Sequence, residues 1–254
     1  MNKKAFTLAE ILITLGIIGV VAAMTIPNLM HKVRNKVLAT QFKKTMADVT
    51  QAIGRIKANN DIDTLADYCA YYDGSEYPNS LECYDWFRDI FTSRTAKRVG
   101  TFYHDYDLIR SDTEIRTYNG QQYVTNSALA GIGYAVINPR TMLDGQYLNV
   151  WIIESKLYIG VDINGKDKPN RLGHDIFVFI VHKKDDSLTY ASVPEDISPE
   201  DLPTEGPEYS IERKGYPCSL TSTQKGNGIG CVYYALKNKC PDGTARNYFD
   251  CLPK

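Results

Sequence analysis

Apolar positions run almost unbroken from Phe6 to Ile26, with Glu10 the one charge among them. Twenty-one residues at about 1.5 Å each make about 31 Å of helix, enough to cross the hydrocarbon core of a bilayer. A secretory signal peptide has a shorter apolar core followed by a small-residue cleavage site, and no clear A-x-A site follows here. Over residues 31–57 the pattern changes. Val33, Val37, Leu38, Phe42, Met46, Val49, Ile53 and Ile56 recur every three or four positions, with Lys36, Lys43, Lys44, Asp48, Gln51 and Arg55 between them. That spacing predicts an amphipathic helix continuous with the span, about fifty residues in all and about 75 Å long. Pro27 is expected to kink it or free a backbone bond. Asn59-Asn60-Asp61 is a plausible stop.

Beyond residue 61 the period shortens. Residues 61–98 are mixed, with a Tyr-rich turn at Tyr71–Pro78 and one or two helical turns at Asp85–Phe91. Tyr134–Ile137, Tyr147–Ile153, Leu157–Asp162, Ile176–His182 and Leu188–Ala191 read as strands. Asp144-Gly145, Asn164-Gly165 and Lys184-Asp185-Asp186 are the turns between them. Hairpin-length spacing predicts an antiparallel meander, and a long helix against such a sheet is an α+β head. Residues 194–217 hold five of the 11 prolines and many acids, and read as an exposed loop.

Composition sharpens this picture in three places. The 254 residues carry 29 Lys/Arg and 30 Asp/Glu, which excludes a globally basic nucleic-acid binder. Residues 31–57 nevertheless hold seven Lys/Arg against one Asp, so the excess of acids falls elsewhere. The basic face could meet anionic headgroups or DNA, and seven charges spread along a helix compel neither. The six cysteines, Cys69, Cys83, Cys218, Cys231, Cys240 and Cys251, include no C-x-x-C pair, which weakens zinc and thioredoxin-like readings. Fifteen pairings are open, and pairing in chain order closes the shortest loops. Four of the six lie in the last 37 residues, where apolar periodicity is weak and disulfides would replace a core.

Glu10 needs a reason, because a carboxylate near the end of a spanning helix is costly. Lys4-Ala5-Phe6-Thr7-Leu8-Ala9-Glu10 resembles the processing site of type IV pilins and type II secretion pseudopilins. The resemblance implies cleavage between Ala5 and Phe6 by a prepilin peptidase, N-methylation of Phe6, and an assembly role for Glu10. Ala5 stands where the family more often has Gly, and Ala9 replaces a bulkier apolar residue. Pro27, Gly16 and Gly19 fall where pilin stems carry helix-loosening residues. A disulfide-closed C-terminal region also resembles many pilins.

The organisation expected from this is a leader at 1–5, a transmembrane and assembly helix at 6–30, an amphipathic stem at 31–60 and a periplasmic or extracellular α+β head at 61–254. The resemblance implies a subunit of a pilus-like or pseudopilus filament of like or mixed subunits, assembled from the inner membrane by a platform. The N-terminus would be cytoplasmic, and the chain would pass into a periplasmic or surface filament. The alternative is a minor pilin whose head is adhesive or captures DNA, although nucleic acid is not favoured by the charge. The positive-inside rule points the other way, since Lys32, Arg34, Lys36, Lys43 and Lys44 outnumber Lys3 and Lys4. The processing motif and the cysteines overrule that count.

Two chemical readings remain. Val161–Asp175 resembles a loop joining two late strands in pseudopilin-like proteins. In it Asp162, Asn164 and Asp175 offer oxygen ligands to Ca²⁺. The competing reading is an Asn-Gly turn in which the carboxylates only cap, and Lys166 and Lys168 oppose a tight cation site. No cofactor is otherwise implied. No G-x-S-x-G, H-E-x-x-H or phosphate loop is present and the four histidines are scattered, so no enzymatic role is expected.

Overall fold

The computed structural model describes residues 7–74, 76–92, 115–122, 124, 140–141, 146–153, 155–165, 167–190, 216–224 and 226–253. The expected strand at Tyr134–Ile137, the turn at Asp144-Gly145 and all but the last two residues of the 194–217 loop lie outside them.

Helix α1 spans Leu8–Asn60, 53 residues, with Pro27 inside it. At about 1.5 Å per residue it is about 80 Å long. It ends where Asp61 turns left-handed at φ 53° and returns its N–H to the Lys57 carbonyl. Its two halves live in different surroundings. Residues 8–34 bury nothing fully. From Asn35 onward, Leu38, Phe42, Thr45, Val49, Ala52, Ile53 and Ile56 are buried against the head. Val33 and Val37, placed on the core stripe by their spacing, are instead about half exposed. The head begins to cover the helix only at Asn35 and on the Leu38 side.

The head is an α+β layer around one antiparallel meander. Strands β1 (Arg140–Thr141), β2 (Tyr147–Ile153), β3 (Lys156–Asp162), β4 (Ile176–Val181) and β5 (Leu188–Tyr190) pair in chain order. Ile159 stands opposite Val150 on one side and Phe179 on the other. Successive side chains of a strand point to opposite faces, so a strand buried on both faces reads as an unbroken apolar run. Ile176-Phe177-Val178-Phe179-Ile180-Val181 is such a run, all buried. Phe177, Phe179 and Val181 join the core under α1, where the Phe42 ring lies 4.8 Å from that of Phe177. Ile176, Val178 and Ile180 join a second cluster with Ile115, Val124, Trp151, Leu172 and Ile229.

Short helices close the head. Helix α2 (Leu65–Cys69) and helix α3 (Ser80–Thr92) are joined by the Cys69–Cys83 bridge. Helix α3 is longer than the one or two turns expected at 85–91, because it starts at Ser80 just beyond the Tyr77–Asn79 turn. Helix α4 (Cys231–Lys237) starts at the Cys218–Cys231 bridge, and Cys240–Cys251 closes the tail across a 3-10 turn at Tyr248–Cys251. The tail adds Tyr248 and Phe249 to the core under α1.

Candidate functional site: the exposed N-terminal half of the long helix

The N-terminal half of α1 is built as a surface without a partner inside the chain. Leu12, Ile13, Leu15, Ile17, Ile18, Val20, Val21, Met24 and Ile26 are all more than half exposed. The most apolar 18-residue window of the helix has mean hydropathy 2.2, and none of it is buried. Exposure of so many large apolar residues in water is strongly unfavourable, at roughly 25 cal/mol per Å². This segment is therefore suited to lipid or to another apolar surface outside its own head.

Its first turn is polar by design. The Thr7 backbone N–H and hydroxyl both donate to Glu10 Oε2, at 2.9 and 2.8 Å. The Glu10 N–H donates back to Thr7 Oγ1 at 3.3 Å. This is a capping box, which satisfies N–H groups that the first helical turn leaves without partners. The Thr-x-x-Glu spacing carries that signal in the sequence. Ala5 and Phe6, the expected cleavage pair, lie outside the described residues. Pro27 sits in the exposed half, where its missing N–H interrupts one helical bond.

Residues 1–26 match the prokaryotic N-terminal methylation motif. The chain carries the prepilin signature of type IV pilins and pseudopilins. No curated protein and no solved structure matches the chain. The prepilin signature covers residues 1–26, including most of the exposed half of α1, and the α+β head with its C-terminal disulfides lies wholly downstream of it. The motif implies processing by a prepilin peptidase, and the apolar helix is consistent with a membrane anchor.

The second group of sequence candidates meets in the β3–β4 turn. Asp162 Oδ1 accepts the N–H of Gly165 at 2.9 Å and that of Asn164 at 3.3 Å. The Asn164 amide donates to the Lys168 carbonyl at 3.2 Å and also reaches Asp175. The buried Asp175 accepts the N–H groups of Asn170 and Arg171, each at 2.7 Å. Gly165 takes φ 66°, as the turn requires. The three residues are thus brought together, and the oxygens named here hold backbone N–H groups. Among the described residues no group of three His, Cys, Asp or Glu side chains is placed to hold a metal.

Beside this turn lies a feature that spacing did not reveal. His174 is fully buried, with Nε2 3.0 Å from the Tyr118 carbonyl and Nδ1 without a hydrogen-bond partner among the described residues. Burial first, and then Arg171, pushes its pKa down to about 3. Burial raises the Asp175 carboxyl to about 6, against the backbone N–H groups that lower it. Gly173, just before them, takes φ 75°, and a Cβ there would stand 2.6 Å from the Cys231 Cβ. Its carbonyl accepts the Tyr248 hydroxyl. The turn is therefore locked to the disulfide-bearing tail.

Proposed function

We propose that this protein is a structural subunit of a type IV pilus-like or type II pseudopilus filament, cleaved and N-methylated by a prepilin peptidase. The observation that carries the reading is the division of α1 at Asn35. Before it, the large apolar residues from Leu8 to Met30 are left exposed by the chain's own head, and after it one face of the helix is buried in a core. In the membrane the exposed half spans the bilayer. In a filament the same half packs against the stems of like or different subunits, on an inner-membrane assembly platform.

Glu10 supplies the register. After cleavage, the amine of Phe6 is a cation about one helical turn away from a carboxylate in its own chain. In a filament, the amine of a neighbouring subunit fills the same role. A carboxylate in lipid is far less costly beside a cation. Staggering is then set by charge, and affinity by apolar packing.

Intact-mass measurement of the protein extracted from membranes tests the reading. The expected mature chain has lost five residues and gained one methyl group. A chain that retains Lys3 and Lys4, or is cut beyond residue 20, would end it. Labelling of filaments then separates a subunit that runs along the shaft from one confined to the tip, as an adhesive or DNA-capturing head requires.

A further inference from the structure

Charge is sorted along the chain into two neighbouring units of opposite sign. Residues 31–57 of the stem hold seven Lys/Arg and one Asp, and residues 61–92, which include α2 and α3, hold eight Asp/Glu and one Arg. On the stem, Lys32, Lys36, Lys43 and Arg55 are exposed, and none of them is in an ion pair among the described residues. Lys36, Lys43, Ala47 and Gly54 follow one another at spacings of seven, four and seven, which keeps them on one side of the helix. That side faces away from the buried stripe. All four residues are exposed, and a Cβ on Gly54 would meet nothing within 4 Å. Asp63 and Glu76, which precede and follow α2, are also exposed and in no ion pair among the described residues.

Within one chain the lower lysines cannot reach these acids. Asp186 sets the level of α2, because its Oδ2 accepts the Leu65 N–H and lies 2.8 Å from Lys57 Nζ. Helix α2 therefore starts beside the last turn of α1. Lys43 and Lys36 precede Lys57 by 14 and 21 residues, or about 21 and 32 Å of helix. Charges so far apart in water are screened from one another, since the Debye length is about 8 Å at physiological salt. Lipid does not cover the stripe either. Met30 is the last of the exposed large apolar residues before Val33 and Val37, and Lys43 lies 13 residues, or about 20 Å, beyond it. The polar layer on each side of a bilayer is only roughly 5–8 Å thick. A nucleic acid laid along the stripe would meet the acids of residues 61–92 at its upper end. The surface whose charge fits is the acidic unit of another copy.

We propose that a second copy of this chain docks its acidic α2 region on the basic stripe of the stem, with Lys36 and Lys43 facing the acids around Asp63 and Glu76. The copy that offers the stripe then stands about 21–32 Å further along the common axis than the copy that offers the acids. Phe6 and Glu10 are only four residues apart, about 6 Å, so the two contacts involve different neighbours. Glu10 meets the amine of a near copy, and the stripe meets α2 of a more distant one. Opposite charge steers the copies together and fixes their stagger, while the apolar halves of the stems supply affinity. The inference rests on the filament reading and adds to it a second contact, above the membrane.

Charge reversal in the full chain tests the contact. Filaments are sheared from cells, and the chain within them is measured against the membrane pool. Lys36→Glu with Lys43→Glu should lower incorporation about tenfold, because like charges then oppose each other across the contact. Asp63→Lys with Glu76→Lys should do the same. The variant carrying all four changes should recover to within about twofold of wild type. A membrane pool of unchanged size and mature mass shows that each variant folds and is processed. A cross-link read in otherwise wild-type chains makes the test independent of the reversals. The native cysteines are all paired, so Lys43→Cys and Glu76→Cys chains produced together should be joined by a flexible bismaleimide in filaments, and neither should be joined alone. Full incorporation of either reversed pair, or filaments without the cross-link, would overturn the contact. A stem defect that the acidic reversal fails to repair would also overturn it, and would leave a polyanion such as DNA as the ligand of the lysines. Absence of the wild-type chain from filaments would instead overturn the filament reading beneath it.

Discussion

Lys57 Nζ lies 2.8 Å from Asp186 Oδ2, joining the last turn of the long helix to the β4–β5 turn of the head. The same carboxylate accepts the N–H groups of Leu65 and Ala66, at 2.9 and 2.8 Å. Thr64, which stands at the N-cap of α2, makes no side-chain cap bond. Asp186 therefore caps from a distance a helix too short to stabilise itself. It does so from a left-handed backbone, φ 58°, that Asp and Asn tolerate better than most residues.

Asp186→Ala should consequently cost more than a surface ion pair. It strands two buried N–H groups and one half-buried ammonium, a loss on the order of 3–5 kcal/mol. Asp186→Asn keeps the backbone preference and one acceptor, and should cost about half as much. Lys57→Met should cost about 1–2 kcal/mol, because the helix N–H groups still hold the carboxylate. Denaturant titration of the full chain in detergent gives the ranking, and an Asp186→Ala loss under about 1 kcal/mol would show that α2 needs no remote cap.

Glu10→Gln separates charge from capping. A glutamine at the third helical position can still close a capping box with Thr7, so the helix start should survive. The span becomes more apolar, so insertion and cleavage should be unchanged. What disappears is the anion opposite a neighbouring amine, and incorporation into filaments should fail. Normal filaments from this variant would remove the assembly role. Glu10→Ala, which loses both functions, is the less informative change.

The parts of the molecule legible in its sequence are those where one period persists. The stem shows through because a long apolar run passes into a 3.6-residue stripe, and β2 to β5 because short apolar runs alternate with turn residues. Helices α2 and α4 are not legible there, for a physical reason. They are five and seven residues long, neither has a side-chain N-cap bond, and each contains one cysteine of a disulfide that fixes it from outside. Their stability is tertiary, and local pattern does not record it. Val33 and Val37 fit the helical stripe as well as Leu38 does, yet only the position of the head decides which apolar face is covered. The prepilin motif is legible because it is contiguous. The remote cap on α2 is not, because Asp186, Leu65 and Ala66 meet only through the fold.

The Cys240–Cys251 bridge spans an 11-residue separation and fixes the turn that presents Tyr248 and Phe249 to the core under α1. Replacing both cysteines by alanine should cost on the order of 2–4 kcal/mol. Limited proteolysis should then cut within residues 238–254 before any other described segment. Native protein from an oxidising compartment should show no free thiol, and six alkylatable thiols would contradict export of the head.

Calcium is expected to leave stability unchanged. In the turn where Asp162, Asn164 and Asp175 meet, Asp162 Oδ1 and both Asp175 oxygens accept backbone N–H groups. A cation seated on those three oxygens would compete with bonds that build the β3–β4 turn. Melting curves in EDTA and in several millimolar calcium, the range of extracellular sites, should coincide. A rise that vanishes in Asp162→Ala would restore the metal reading.

His174 and Asp175 make opposing contributions to the pH dependence of stability. The folded protein holds His174 down at about 3, well under its ordinary 6.5. Between these values the unfolded chain binds the extra proton, so acid destabilises the fold as pH falls below about 6.5. Asp175 is held up at about 6 against an ordinary 3.8. Between those values the folded protein binds the extra proton, so its contribution is present at low pH and is lost as pH rises through about 6. The two slopes have opposite sign and overlap from about pH 4 to 6, where they largely cancel. Asp175→Asn removes one of them and leaves the other. The variant should therefore lose stability steadily from pH 6.5 down to 4, while wild type changes little across the same window. Denaturant midpoints measured at half-unit intervals resolve the difference. Parallel curves for the two proteins would show that Asp175 is ionised in the fold throughout the range.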